Sequence, residues 1–421
     1  MAMRGLMHVS KLLPATARVR VSSFWSGVET GPPDAIFGLV EAHKKDPRPN
    51  KVSLAIGAYR DDQGKPWVLP TVRKAEQRIV DKNLDKEYAG IMGYESFCKE
   101  AYKLAFGEDD NFKNNSYVTT QTVSGTGALR LAGMFLNKFY PEAKTIYLPN
   151  PSWPNHNPVF KQSGLEVKSY RHCNFQNMTF DAAGCYDDLR SIPNKSMVLF
   201  HACAHNPTGI DLSLDHWAEV SKICKEKNHL VFVDMAYQGF ATGDLEKDSA
   251  GLRLLAKDGH KLVLCQSFSK NMGLYGERCG AMTFLTESES EAKAVESQIK
   301  IIIRPLYSNP PITGARIATE ILTSPDLYSE WLDELKAMAG RIFEMRGKLQ
   351  QGLINEGSTR DWSFIHTQIG MFCYSGMNQE QVKRLQDEYG IYMTKDGRIS
   401  MVSLSSNNIG YVAKSMHEVT K

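Results

Sequence analysis

The stretch Lys261-Leu-Val-Leu-Cys-Gln-Ser-Phe-Ser-Lys-Asn-Met-Gly-Leu-Tyr-Gly-Glu-Arg-Cys-Gly280 joins a short apolar run to a polar, glycine-punctuated loop, and a second run, Gly280 to Leu285, follows at once. A few consecutive apolar residues are too short for a core helix and suit a strand buried on both faces. The pattern recurs at Tyr117 to Val123, Thr145 to Leu148, Met197 to Ala202 and Leu230 to Val233, with amphipathic stretches such as Ser213 to Asn228 between them. Strands alternating with helices predict an α/β fold, a parallel sheet covered by helices on both faces. Ligands of such sheets sit beyond the carboxyl ends of the strands, so the polar residues that end each run are the candidates for chemistry.

From about Ser324 the pattern changes. Leu327, Trp331, Leu335, Met338, Ile342, Met345 and Leu349 recur at steps of three and four and predict one long amphipathic helix. Short strands, Met371 to Tyr374 and Arg398 to Leu404, then flank a helix around Gln379 to Tyr389, which reads as a second, smaller α+β domain. Among 421 residues, 50 basic and 47 acidic side chains include no polybasic tract, so no nucleic acid is expected. No run approaches the roughly 18 apolar residues of a membrane helix, so no membrane span is expected.

The first 22 residues carry Arg4, Lys11, Arg18 and Arg20 with Ser10 and Ser22, and the first acid in the chain is Glu29. That composition predicts a mitochondrial transit peptide removed near Val21 to Ser23. Eight irregularly spaced cysteines, several inside apolar runs, read as reduced core thiols. His201, Cys203 and His205 would share one face of an extended strand, but no fourth ligand stands at a usual spacing, so no metal is expected.

At the strand ends, Ser124-Gly-Thr-Gly-Ala-Leu-Arg130 is a turn opening a helix, whose free N–H groups suit a phosphate, although many such turns are only tight connections. It lacks the third glycine of a dinucleotide fingerprint. Asp234 follows four apolar residues, so its carboxylate is expected to be buried and in need of a cationic partner. Tyr237 offers a phenol, Asn206 an amide, Trp153 a flat wall, and His156 a hydrogen bond to a carboxylate; Trp153 would serve equally in a core. Lys270 supplies an amine nucleophile, with Ser267 and Arg278 beside it for an anion.

Gly57-Ala-Tyr-Arg, Ser124-Gly-Thr-Gly-Ala-Leu, Asn150-Pro-Ser-Trp, His201-Ala-Cys-Ala-His-Asn-Pro-Thr-Gly, Asp234-Met-Ala-Tyr-Gln-Gly-Phe-Ala, Ser269-Lys-Asn-Met-Gly-Leu-Tyr-Gly-Glu-Arg and Tyr307-Ser-Asn-Pro-Pro together resemble the class I pyridoxal-phosphate-dependent aminotransferases, from about Ser23 to the C-terminus. The resemblance implies fold type I, with a large domain over 67–337 and a small domain from 23–66, including an N-terminal arm, and 338–421. It implies amino transfer between L-aspartate and 2-oxoglutarate, giving oxaloacetate and L-glutamate, in the mitochondrial matrix.

By the same resemblance, Lys270 is the Schiff-base lysine and proton shuttle, Asp234 faces the ring nitrogen, and Tyr237 and Asn206 face the ring oxygen. Ser124, Gly125, Thr126, Ser267 and Arg278 form the phosphate cradle, Trp153 stacks on the ring, and His156 supports Asp234. Gly57, Trp153, Asn206 and Arg398 meet the substrate, Arg398 forking onto its α-carboxylate. Tyr88, Arg304 and Ser308 are implied to arrive from the neighbouring subunit of a homodimer, Arg304 to bind the side-chain carboxylate and Tyr88 the phosphate.

Close mitochondrial relatives tend to read Glu-Tyr-Leu-Pro-Ile-Gly-Gly where this chain has Glu87-Tyr-Ala-Gly-Ile-Met-Gly93, and its Ser-Phe-Ser-Lys resembles the cytosolic branch. Ser267-Phe-Ser-Lys270, Tyr307-Ser-Asn309 and Lys395-Asp-Gly397 also stand in the order of penicillin-recognising acyl transferases. A serine nucleophile there opens a buried helix, whereas Ser267 follows an apolar strand. A non-enzymatic scaffold would be expected to have lost a lysine or an arginine of the set, and every one is present.

Overall fold

The computed structural model describes residues 24–31, 34, 36–107 and 116–421; the expected leader and its removal point lie outside them. The strands are β1 (Val52–Ser53), β2 (Ser116–Val123), β3 (Thr145–Asn150), β4 (Glu166–Arg171), β5 (Cys173–Asn174), β6 (Thr179–Phe180), β7 (Met197–His201), β8 (Leu230–Met235), β9 (Leu262–Ser267), β10 (Cys279–Thr286), β11 (Phe372–Tyr374), β12 (Ile391–Tyr392) and β13 (Arg398–Ser400). Seven of them form one sheet in the order β2-β10-β9-β8-β7-β3-β4.

Strands β4, β3, β7, β8 and β9 are mutually parallel, whereas β10 runs against both of its neighbours. The expected parallel sheet is therefore mixed at one strand. A parallel return needs a crossover of about a dozen or more residues, usually a helix, and the link from β9 to β10 contains none. Both ends of the lysine loop consequently lie at one sheet edge, tied where Phe268 N–H donates to the Cys279 carbonyl at 3.1 Å.

The uninterrupted apolar runs have a direct cause. Val231, Val233, Leu262 and Leu264 enter one core with Trp217, while Phe232, Val263 and Cys265 enter the other with Leu129 and Phe160. The observed strands run slightly past the apolar residues, to Asn150, Met235 and Ser267, because ladder bonds use backbone whatever the side chain. Asp234 and Ser267 are thereby held on rigid strand. Phe232 is wholly buried, and Phe232→Ala is expected to reduce stability by about 3–5 kcal/mol, measured as a lower urea midpoint.

The helix Pro325–Asn355 buries the stripe from Leu327 to Leu349. The helix Gln379–Tyr389 starts in a capping box of Asn378 and Gln381 and ends at left-handed Gly390. The strand expected over 398–404 stops at Ser400 and turns into a 3-10 helix, Met401–Ser403, as the Met401 N–H turns to the Met371 carbonyl. β1 pairs in parallel with β12, and Arg48 donates to the Gln386 and Asp387 carbonyls at 2.9 and 2.8 Å. These bonds build the N-terminal segment into the C-terminal one. All eight cysteines are free and buried, and no helix among the described residues is long and apolar enough to cross a membrane.

Candidate active site

A cavity of about 380 Å³ lies where the strand ends meet. At one side, the helix Ser124–Phe139 starts with no side-chain cap and no acid in its first turn, so the N–H groups that follow Ser124 remain available to an anion. Ser124 has φ 60°, a conformation held by its N–H on the Arg278 carbonyl (3.0 Å) and by the Thr122 hydroxyl on its own carbonyl (3.0 Å). Its hydroxyl stands 3.4 Å from that of Ser267 and 3.1 Å from that of Ser269. A Cβ at Gly280 would fall 2.5 Å from the Ser124 carbonyl carbon, and one at Gly125 3.0 Å from Ser267 Cβ. The two glycines therefore let β9, β10 and the helix start close around this hollow, with Gly125, Thr126 and Arg278 also lining it.

The floor carries the charge. Asp234 stands one residue before the end of β8 and is buried; burial alone would raise its carboxyl, but the hydrogen bond and charge of His156, aided by His201 and Lys270, hold it below the usual range. His156 Nε2 donates to Asp234 at 2.9 Å, while its Nδ1 lies 2.8 Å from the Ser152 hydroxyl, which is 3.2 Å from His201 Nε2. Burial and the neighbouring His156 push His201 down to about 3, so it stays neutral. Two of the asparagine–proline pairs, Asn150-Pro151 and Asn206-Pro207, are cis and carry their loops to this edge.

Lys270 Nζ sits 5.5 Å from the centre of the Tyr237 ring. Burial lowers its amine from 10.5 to about 8, with Asp234 opposing and Arg278 assisting. Burial raises the Tyr237 phenol, keeping it a donor. Arg398 donates to Asn206 Oδ1 at 3.3 Å and to the Ala55 carbonyl at 3.1 Å, and its guanidinium stacks 4.1 Å from the Phe372 ring centre. Its Nε has no partner among the described residues.

Gly57, Trp153, Asn206 and Arg398 line the same cavity as Lys270, Asp234 and Tyr237. Gly57 is a close approach, since a Cβ there would meet Phe372 Cζ at 2.9 Å. His156 stands behind the wall. Tyr88 and Arg304 do not reach this cavity and are exposed. Sequence reasoning missed Ile36, Ser269, Tyr275 and Phe372, and considered His201 only as a metal ligand. Tyr275 lines the same cavity as Lys270, and its hydroxyl accepts from Tyr59 N–H at 2.9 Å. The acyl-transferase arrangement does not form, because Ser267 ends a strand and neither Tyr307, Asn309 nor Lys395 lines the cavity.

A partly buried amine, a buried carboxylate, an uncapped helix start ringed by hydroxyls and a clefted arginine, all at one edge of a mostly parallel sheet, define an amino-group-transfer enzyme. The chain belongs to the family of class I and II aminotransferases, whose profile matches residues 49–416, and its architecture is fold type I. It is 52% identical over 421 residues to the mitochondrial aspartate aminotransferase of Xenopus tropicalis, covering 99% of each chain. Among solved structures it resembles a mitochondrial aspartate aminotransferase from Trypanosoma brucei at 43% identity and TM-score 0.87, covering 91% of this chain and 100% of that one. It also resembles an aromatic-amino-acid aminotransferase from Burkholderia pseudomallei, crystallised covalently bound to pyridoxal phosphate, at 40% identity and TM-score 0.92, covering 95% and 100%.

Proposed function

We propose that the chain transfers the amino group reversibly between L-aspartate and 2-oxoglutarate, giving oxaloacetate and L-glutamate, in two alternating half-reactions on pyridoxal phosphate. The observation that carries this reading is the convergence of Lys270, Asp234, the serine-ringed helix start and Arg398 on one cavity. Ser124, Gly125, Thr126, Ser267, Ser269 and Arg278 suit a phosphate dianion. Asp234 suits the ring nitrogen, Asn206 and Tyr237 the ring hydroxyl, and Trp153 the ring face. When bound, the cofactor supplies an electrophilic carbon and a ring that withdraws electrons.

The chain's own groups do the rest. Lys270, with an amine near 8, is neutral often enough at physiological pH to hold the cofactor covalently and to move a proton at the substrate's α-carbon. Arg398 orients the α-carboxylate with its planar fork, held in aim by Phe372 and Asn206. Arg304 of a second copy would take the side-chain carboxylate, with Tyr88 and Ser308 beside it, so each site of a two-fold homodimer is shared. The large domain spans 67–337 and the small one 23–66 and 338–421, a division supported by the pairing of β1 with β12. The basic, acid-free leader and the mitochondrial relatives favour the mitochondrial matrix.

The holoprotein should be yellow, bleach with L-aspartate, and recover its colour with 2-oxoglutarate. A colourless protein that gains no visible band with pyridoxal phosphate would overturn the reading. The neutral amine is the attacking form, so covalent cofactor uptake by the apoprotein is expected to accelerate with pH and to level off above about 8. Stopped-flow absorbance tests this; a rise continuing to about 10.4, as for an ordinary lysine, would place the reacting amine elsewhere.

A further inference from the structure

The loop bearing Tyr88 and the segment that follows Arg304, which stands in the last turn of the helix Glu289–Leu306, are joined to each other in two places. Asn309 Nδ2 donates to the Ala89 carbonyl at 2.6 Å, next to Tyr88 and 220 residues away in sequence. Asn309 Oδ1 accepts from the Ser308 hydroxyl at 2.8 Å, and that hydroxyl accepts from the Arg304 guanidinium at 2.5 Å. The second staple is Gln121, wholly buried on β2. It accepts from Tyr94 N–H at 2.9 Å and donates to the Pro311 carbonyl at 2.7 Å.

The exposures contrast sharply. Ala89 is 7% exposed and Tyr88 is 86% exposed, so the backbone is pinned while the phenol points outward. Gly90, next in the chain, imposes no conformation of its own, and surface loops are mobile unless tied. Among the ties on this loop, the Asn309 amide is the one that grips the residue next to Tyr88.

Resting on the shared-site reading above, we propose that Asn309 is a positioning residue that locks Tyr88 and Arg304 into one two-pronged element, presented as a unit to the site of a second copy. Its bond to Ala89 holds the backbone beside Tyr88, and its bond to Ser308 fixes the aim of the guanidinium. The phenol and the guanidinium are then delivered together, so cofactor retention and dicarboxylate selection are set by the same amide.

The test uses the Asn309→Ala holoenzyme. It is expected to sediment as the parent does and to keep kcat within about twofold. Its KM for aspartate and for 2-oxoglutarate should rise roughly tenfold, the size of one lost hydrogen bond, and its pyridoxal phosphate should dissociate faster. The half-reaction with L-alanine, which lacks a second carboxylate, should be unchanged. In an Arg304→Ala background Asn309→Ala should add little to the dicarboxylate KM, since coupled residues are not additive. An unchanged KM in a dimeric Asn309→Ala protein, or an equal loss with L-alanine, would overturn the proposal alone. A parent holoenzyme fully active as a monomer would instead overturn the shared-site reading.

Discussion

Lys270→Ala is expected to abolish measurable amino transfer, lowering kcat for aspartate by about 10⁴-fold or more, while the protein folds and still binds cofactor. Proton transfer by a positioned side chain is worth about 10²–10⁴-fold on its own, and here the same amine also anchors the cofactor. No second amine can substitute, because Lys270 is the one lysine among the cavity's lining residues. The fold should tolerate the change: burial already disfavours the charged amine, and Asp234 keeps its bond to His156. A steady-state assay beside a urea melt separates chemistry from stability. Near-normal turnover would remove Lys270 from the reaction.

Arg398→Ala should reduce kcat/KM for aspartate by roughly 30-fold to several thousand-fold, corresponding to about 2–5 kcal/mol for truncating one member of a buried, hydrogen-bonded charge pair. Burial pulls the guanidinium below its ordinary range, against Asp396 and Tyr237, yet it remains a cation. Arg398→Lys should recover little, since an ammonium offers a point charge rather than two parallel donors. The comparison is made with initial rates across aspartate concentrations. A lysine variant equal to the parent would show that charge alone is recognised and that the stacking on Phe372 contributes nothing to aim.

How much was legible beforehand follows from what each feature depends on. Strands buried on both faces must be nearly all apolar, so β7, β8 and β9 announced themselves, and Asp234 and Lys270 stood out as the polar breaks after them. The reversal of β10 was not readable from residue types, because direction is set by the connection: a loop without a crossover can only turn back. Ser269 left a usable signal, since it stands two residues from Ser267 at the end of a strand, where alternate residues share a face. Phe372 left none. It belongs to an apolar run like any other, and only the fold brings it under Arg398. The path after Tyr88 was equally hidden, because Ala89 and Gly90 state no preference and Asn309, the partner of Ala89, lies far along the chain.

The parallel pairing of β1 with β12 also has a consequence for how the chain is made. Val52 and Ser53 leave the ribosome early, but their partners Ile391 and Tyr392, and the carbonyls that Arg48 clasps, are among the last residues synthesised. Until translation is nearly complete, Arg48, Val52 and Ser53 lack these partners. This seam between the two ends of the chain can therefore close only after the C-terminal segment has been made.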